Sequence, residues 1–504
     1  MVTFAPRKSH FDIGNEASYT NQFRGFFTLF WISLFLFIVS TYIRSVEQAG
    51  SPLNLEFATM MSRDAMTLAL SDAVLVLSTG ICVLFAKAIS TGWIKYYWQG
   101  ILLQHLWQAT MLAVAVTWTF NRQWPWVQSG FLTLHSFVMM MKVHSYLSVN
   151  GELASVDKRA RALLGQLKRA AEDEGGWDAA LQAAESAMIQ QESPVEIGTP
   201  DVPLDIPAGS TTSYVDVRTV ATLRQRLLAH SGKDIGPPTP SEILSNHPSE
   251  KIASLAKAHT ELEYELTGSI EGKVRWPQNI SFYDFAWYQL TPTLVYELEY
   301  PRTQSIRPLY VFEKSVAFFG TFALLYTMVE TFILPLTPTP EQSFARSLLD
   351  LAMPFMISYL LLFYIIFECI CNAFAELSYF ADRQFYDDWW NSTSWDEFSR
   401  KWNKPVHTFL LRHVYASSIS SYKLSRQGAM FFTFCFSALA HELVMAVVTK
   451  KIRFYLFILQ IAQIPLIAIG RIPAIRRNKL MGNIVFWIGL YAGFPLLCVA
   501  YVAY

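Results

Sequence analysis

Apolar runs about twenty residues long recur along the chain, and no other feature restricts its fold as tightly. A hydrocarbon core about 30 Å thick is crossed by about 20 residues of helix. Runs of that kind occupy Gly25 to Ile43, Met66 to Ala88, Ile101 to Thr119 and Trp126 to Val149. After a long polar interval come Val316 to Leu336, Leu348 to Phe380, Gly428 to Val448, Phe454 to Ile469 and Ile484 to Tyr504. In lipid the backbone must satisfy its own hydrogen bonds, so such runs predict helices. The expected fold is all-α, a polytopic transmembrane helix bundle of about nine spans.

Charge agrees with that class and excludes another. Only 16% of residues are charged, against about 25% in soluble domains. Lysine plus arginine equals aspartate plus glutamate at 40 each, without the basic excess of a nucleic-acid binder. Met1 to Gln22 is polar, so the first apolar run is expected to act as an uncleaved signal anchor. With residues 1–22 as a cytosolic N-terminal segment, most Lys and Arg of the short loops fall on the cytosolic side. Lys450, Lys451 and Arg453 fall on the other.

Composition divides the rest. Residues 23–149 hold the first transmembrane helices, and 150–281 reads as a cytosolic, largely flexible loop. Within it, Leu153 to Ile189 is alanine-rich with helical periodicity, and Ser193 to Ser249 is rich in Pro, Ser, Thr and Asp. The latter lacks the apolar surface to fold alone. Ile252 to Leu266 suits a surface helix. Residues 282–504 carry the remaining spans and the groups suited to catalysis. The five cysteines, Cys82, Cys369, Cys371, Cys435 and Cys498, all lie in apolar stretches. They read as packing residues, and no Cys/His spacing suggests a metal.

Two features carry chemistry. Between Phe380 and Arg426 the chain reads Phe385-Tyr386-Asp387-Asp388-Trp389-Trp390-Asn391, followed by Trp402-Asn403 and His407. An interfacial aromatic belt would explain the Trp and Tyr. A pocket for an amphipathic ligand with a charged end would also explain the interleaved Asp388, Asn391, Asn403 and His407. The second feature is His441, beside Glu442 within the apolar run Phe431 to Val448. Ionisable groups inside a span are costly and face a cavity or a partner. Burial disfavours imidazolium, so a neutral ring able to accept a proton is expected. A histidine that merely bonds a neighbouring helix remains the alternative. Asp72, Glu330, Glu368 and Glu376 can cap, pair or line a cavity, and His105, His135 and His144 suit helix–helix contacts.

Phe385 to Asn391 resembles the FYxDWWN signature of the membrane-bound O-acyltransferase superfamily, with Asp387 at the variable position. Upstream, Asn372 to Leu377 is also similar to family sequence, and the Trp402-Asn403 pair, His407 and His441-Glu442 follow in the family's order. The likeness covers about 23–149 and 282–504. It implies spans enclosing an intramembrane reaction chamber, with His441 as catalytic base and Asn403 as its partner. It further implies that Tyr386, Asp388, Trp389, Trp390 and Asn391 shape the acyl-CoA side, and that Arg400, Trp402, His407, Tyr415, Arg426 and Ser437 line its tunnel. Acyl-CoA would be a co-substrate, with no metal or other cofactor. Met141-Lys142-Val143-His144-Ser145-Tyr146 and Phe23 to Trp31 are similar to the fungal sterol O-acyltransferase branch. That favours a membrane sterol over diacylglycerol as acceptor, an endoplasmic-reticulum location, and a homodimer or homotetramer. A transporter, the alternative of another class, predicts internal repeats that the chain lacks.

Overall fold

The computed structural model describes residues 4–12, 24–51, 56–191, 239–268, 270, 272–336, 342–470, 472 and 478–503. Among the described residues there are helices, short turns and three isolated backbone bridges, and no sheet. We label the helices that position the site: α1 (Arg24–Ala49), α2 (Ala65–Ser78), α3 (Ile81–Ser90), α4 (Ile101–Asn121), α5 (Trp126–Asp173), α6 (Trp177–Gln191), α7 (Glu250–Glu265), α8 (Phe282–Leu290), α9 (Pro308–Met328), α10 (Phe344–Phe363), α11 (Trp395–Lys401), α12 (Lys404–Phe409), α13 (Arg426–Thr449), α14 (Tyr455–Gly470) and α15 (Lys479–Ala503). The chain is an all-α polytopic bundle.

Seven helical stretches among the described residues are long and apolar enough to cross a membrane, fewer than the nine expected. The two that fall short do so for different reasons. The apolar part of α14, Tyr455–Ala468, is too short. The first half of α5 is long enough but polar, burying Gln128, Ser129, Thr133, Ser136, Lys142 and Ser145. It packs against α2, α3, α4 and α13, so its polar face meets protein, while Trp126, Phe131 and Leu134 face outward. Lys142 illustrates the point. Its ammonium donates to the carbonyls of Tyr288 (2.8 Å), Gln289 (3.2 Å) and Thr291 (2.7 Å), closing the C-terminal end of α8.

The expected boundary at residue 150 lies inside α5. Its 48 residues extend about 72 Å, more than twice the hydrocarbon thickness. Gly151 lets the helix pass Tyr96 closely, since a Cβ there would lie 2.2 Å from the Tyr96 ring. Beyond that point the far end of α5 packs with α6, α7 and a short capped helix, Pro240–Leu244. Leu167, Ala170, Ala171, Ala180, Ala184, Leu244, Ile252 and Ala256 form its core. Residues 150–191 and 239–268 are thus largely helical, as the alanine-rich periodicity of Leu153 to Ile189 and the pattern of Ile252 to Leu266 predict. Alanine faces bury little area each, but they let three helices approach closely. Residues 192–238, most of the Pro/Ser-rich stretch, lie outside the described residues.

Candidate active site

The polar groups foreseen inside the spans are mostly paired across helices. Asp72 on α2 meets His135 on α5. His144 Nδ1 lies 2.9 Å from Gln104 Nε2 on α4, and Ser145 Oγ lies 2.8 Å from His413 Nε2. Glu376, fully buried, accepts from Arg307 (3.0 Å) and is paired with Arg383. These histidines are helix–helix contacts. The five cysteines are free thiols, and among the described residues no cluster of His, Cys, Asp and Glu side chains could hold a metal ion.

The motif loop lies in the interior. Tyr386 and Trp389 are each 1% exposed, which removes the aromatic-belt reading for them. Trp389 sits edge-on to Phe363 (5.2 Å between centroids) and Trp402 (5.0 Å), and Trp402 stacks on Tyr359 at 4.6 Å. The next residue is held through its backbone. The Trp390 carbonyl accepts from Asn483 Nδ2 (3.0 Å) and Trp487 Nε1 (3.1 Å) of α15. Asp388 pairs with Lys401 at 2.8 Å and accepts from Asn391 Nδ2 at 3.3 Å. Asp387, at the variable position, bonds His10 Nε2 at 3.0 Å. Burial works to raise its carboxyl, yet the bonds from His10 and the Asp388 amide hold it down at about 2.

The sequence reading missed His10 and its neighbours altogether. Residues 4–12 lie against the motif rather than apart from it. Arg7 forks onto Asp382, with Nε–Oδ1 at 2.8 Å and Nη2–Oδ2 at 2.6 Å, and its backbone bridges the same residue. Phe4 packs edge-on to Tyr300 and Phe380, and Phe11 stacks on Trp390 at 5.9 Å. Nothing in a polar 22-residue segment signals these contacts, because each partner lies over 290 positions away.

Downstream, Ser394 caps α11 and Asn403 caps α12. Asn403 Oδ1 accepts the Val406 N–H at 3.1 Å, which leaves the amide N–H pair as its outward-facing chemistry. Arg400 bonds Asp396 at 3.0 Å and carries a buried Nε with no partner. His407 is pushed down to about 4, first by burial and then by the neighbouring Arg400 charge. Tyr415 is half-buried on a π-helical turn, Leu410–Ala416, a distortion frequent at functional sites.

His441 lies mid-way along α13. Its Nδ1 lies 2.7 Å from the Ser437 carbonyl and 3.5 Å from the Ser437 hydroxyl. A carbonyl only accepts, so Nδ1 is the donor in this bond and Nε2 is left free of it. The ring is exposed, whereas a ring enclosed by protein was expected. That part of α13 also presents Phe432, Phe436 and Leu439, so no described residue of this chain closes over that face. Glu442 has a different role. It is buried, accepts the Phe454 and Phe457 N–H groups at 2.7 and 3.1 Å, and accepts the Tyr501 hydroxyl. It thereby caps the free amides that open α14 and anchors α13 to α15. Among the described residues no hydrogen bond joins His441 to Asn403.

A helical membrane bundle with a buried aromatic loop and a polarised histidine on a spanning helix defines a membrane-embedded enzyme class. Residues 60–503 match the model of the membrane-bound O-acyltransferase family, and the chain belongs to that family. It is 33% identical to a probable sterol O-acyltransferase 1 of Schizosaccharomyces pombe, over 99% of this chain and 86% of that protein. It is 31% identical to sterol O-acyltransferase 2 of Candida albicans, over 100% of this chain and 78% of that protein. A diacylglycerol O-acyltransferase 1 of Dictyostelium discoideum is 34% identical, over only 45% of this chain and 37% of that protein.

Proposed function

We propose that this protein transfers a long-chain fatty acyl group from acyl-CoA to the 3-hydroxyl of a membrane sterol, giving a sterol ester in the endoplasmic-reticulum membrane. The observation that carries the chemistry is the Nδ1 bond from His441 to the Ser437 carbonyl on a membrane-spanning helix. A sterol hydroxyl is a poor nucleophile at neutral pH, and a positioned base removes its proton during attack. His441 Nε2 takes that proton as the hydroxyl oxygen bonds the thioester carbon. The Asn403 amide N–H holds the tetrahedral oxyanion. Collapse breaks the carbon–sulfur bond, and the CoA sulfur leaves with the proton from His441.

The site residues support an acyl-CoA running from the cytosol toward that base. Arg426 opens α13 and His441 lies 15 positions further, about 22 Å along the axis. Arg426 suits the CoA phosphates, while Arg400, Trp402, His407, Tyr415 and Ser437 suit the stretch between. Tyr386, Asp388, Trp389, Trp390 and Asn391 act from behind, as the wall that shapes it. No metal or redox step is required. A homodimer or homotetramer belongs to the same reading, by resemblance.

A sterol acceptor is favoured over diacylglycerol because the sterol O-acyltransferase relatives align with the whole chain, and the diacylglycerol relative with less than half. Membranes containing the protein are supplied with labelled oleoyl-CoA and, in turn, ergosterol, cholesterol or diacylglycerol. Label in sterol ester is expected. Label in triacylglycerol alone overturns the sterol, and no label in any neutral lipid overturns acyl transfer.

A further inference from the structure

Glu368 has no part in that mechanism, yet it joins four elements around the motif. It sits on a π-helical turn, Tyr364–Ile370, within the span that continues α10, and is fully buried. Its carboxylate accepts from Lys314 Nζ of α9 at 2.8 Å, from the Tyr386 hydroxyl at 3.0 Å and from Asn372 Nδ2 at 3.3 Å. The Ser9 hydroxyl of the N-terminal segment donates to the same oxygen as Tyr386. Lys314, Tyr386 and Ser9 are themselves no more than 3% exposed.

An ion pair inside a span is an expensive way to hold two helices together. Well-packed apolar side chains of similar volume often do so as well or better. What they cannot do is accept hydrogen bonds. A carboxylate holding a tyrosine hydroxyl, a serine hydroxyl and an ammonium together fixes the direction of each. Tyr386 is the second residue of the motif, and its ring packs edge-on to Phe363 at 4.8 Å. Its orientation therefore sets where the following residues of the loop stand. The N-terminal segment is drawn to the same point.

We propose that Glu368 is a positioning residue that orients the acyl-CoA loop through Tyr386, with Lys314 balancing its charge and Ser9 docking residues 4–12 against the loop. This rests on the acyl-CoA reading of 385–426. Glu368 acts through the acyl-CoA loop, so its loss disturbs acyl-CoA and not the sterol.

The test uses the full chain in lipid nanodiscs, with rates measured against oleoyl-CoA at saturating sterol and against sterol at saturating oleoyl-CoA. Glu368→Gln is expected to raise the oleoyl-CoA KM about tenfold, the scale of a lost charge-assisted hydrogen bond, and to leave the sterol KM within about twofold. The paired change Lys314→Met with Glu368→Met removes the buried charges together. It is expected to restore the thermal midpoint but not the oleoyl-CoA KM, because Tyr386 still lacks its acceptor. Adding Tyr386→Phe to the paired Met variant is expected to add little, since the hydroxyl has already lost its acceptor. A folded Glu368→Gln or paired variant with wild-type oleoyl-CoA KM overturns the proposal, as does an equal rise in both constants. Wild-type protein that binds no oleoyl-CoA overturns the acyl-CoA reading and this proposal with it.

Discussion

The motif loop and the His441 helix are equally specific in sequence and opposite in structure. Around Tyr386 and Trp389 every face is occupied by aromatic rings, ion pairs or the chain's own N-terminal segment. Among the described residues His441 bonds only within its own turn, and its ring is exposed. A residue locked on all sides builds a wall. A residue oriented at one nitrogen and open at the other is placed to react. On the proposed reading, the most recognisable part of this sequence is scaffold, and the reagent is one histidine 50 positions beyond Asn391.

That contrast breaks most sharply at the histidine. His441→Ala should lower turnover about 10²- to 10⁴-fold, the usual worth of a general acid–base group, with the thermal midpoint unchanged. Near-normal turnover in the purified variant ends the assignment. Asn403→Ala should cost about 10²- to 10³-fold in kcat with little effect on oleoyl-CoA KM, the signature of an oxyanion donor. It also removes a helix cap worth about 1 kcal/mol, so Asn403→Asp, which keeps the cap oxygen and loses the N–H pair, is the sharper variant. An active Asp variant rules out the donor role.

The wall should fail in the other currency. Trp389→Ala removes a buried ring and should destabilise by about 3–5 kcal/mol, read as a fall in thermal midpoint, with activity lost through unfolding. A variant that stays folded and loses only turnover makes Trp389 part of the chemistry. At the outer end of α13, Arg426→Ala should raise oleoyl-CoA KM severalfold with kcat preserved. Its KM should also respond less to salt than that of the wild type, because the screened contact is absent. A kcat defect without a KM change assigns it elsewhere.

The smallest effect concerns acid. The folded pKa of His407 lies near 4, below the ordinary value of 6.5. Between those values the unfolded chain binds a proton that the folded chain refuses. Stability from this group is complete above 6.5 and is lost as pH falls toward 4. His407→Gln should flatten the decline of the thermal midpoint in that window, and an unchanged slope means that the folded ring is already accessible to protons.

Length and hydropathy alone determined that this chain is a bundle of membrane helices, because a backbone in lipid has no other partner than itself. The motif, Asn403 and His441 stood out for another reason: the motif resembles a family signature, and His441 interrupts an apolar run. What the sequence could not show is which side of a helix meets protein. The polar residues in the first half of α5 lie on the face that meets other helices, and only packing reveals that. Glu442, next to His441 in the chain, is claimed by Phe454 and Tyr501, which only the fold reveals. Ser9, His10 and Glu368 acquire meaning only when a carboxylate in a span and a polar N-terminal segment arrive at the same tyrosine. Local propensity and transfer energy are properties of a residue and its neighbours in sequence. A hydrogen bond across hundreds of positions exists only once folding has brought its two ends together.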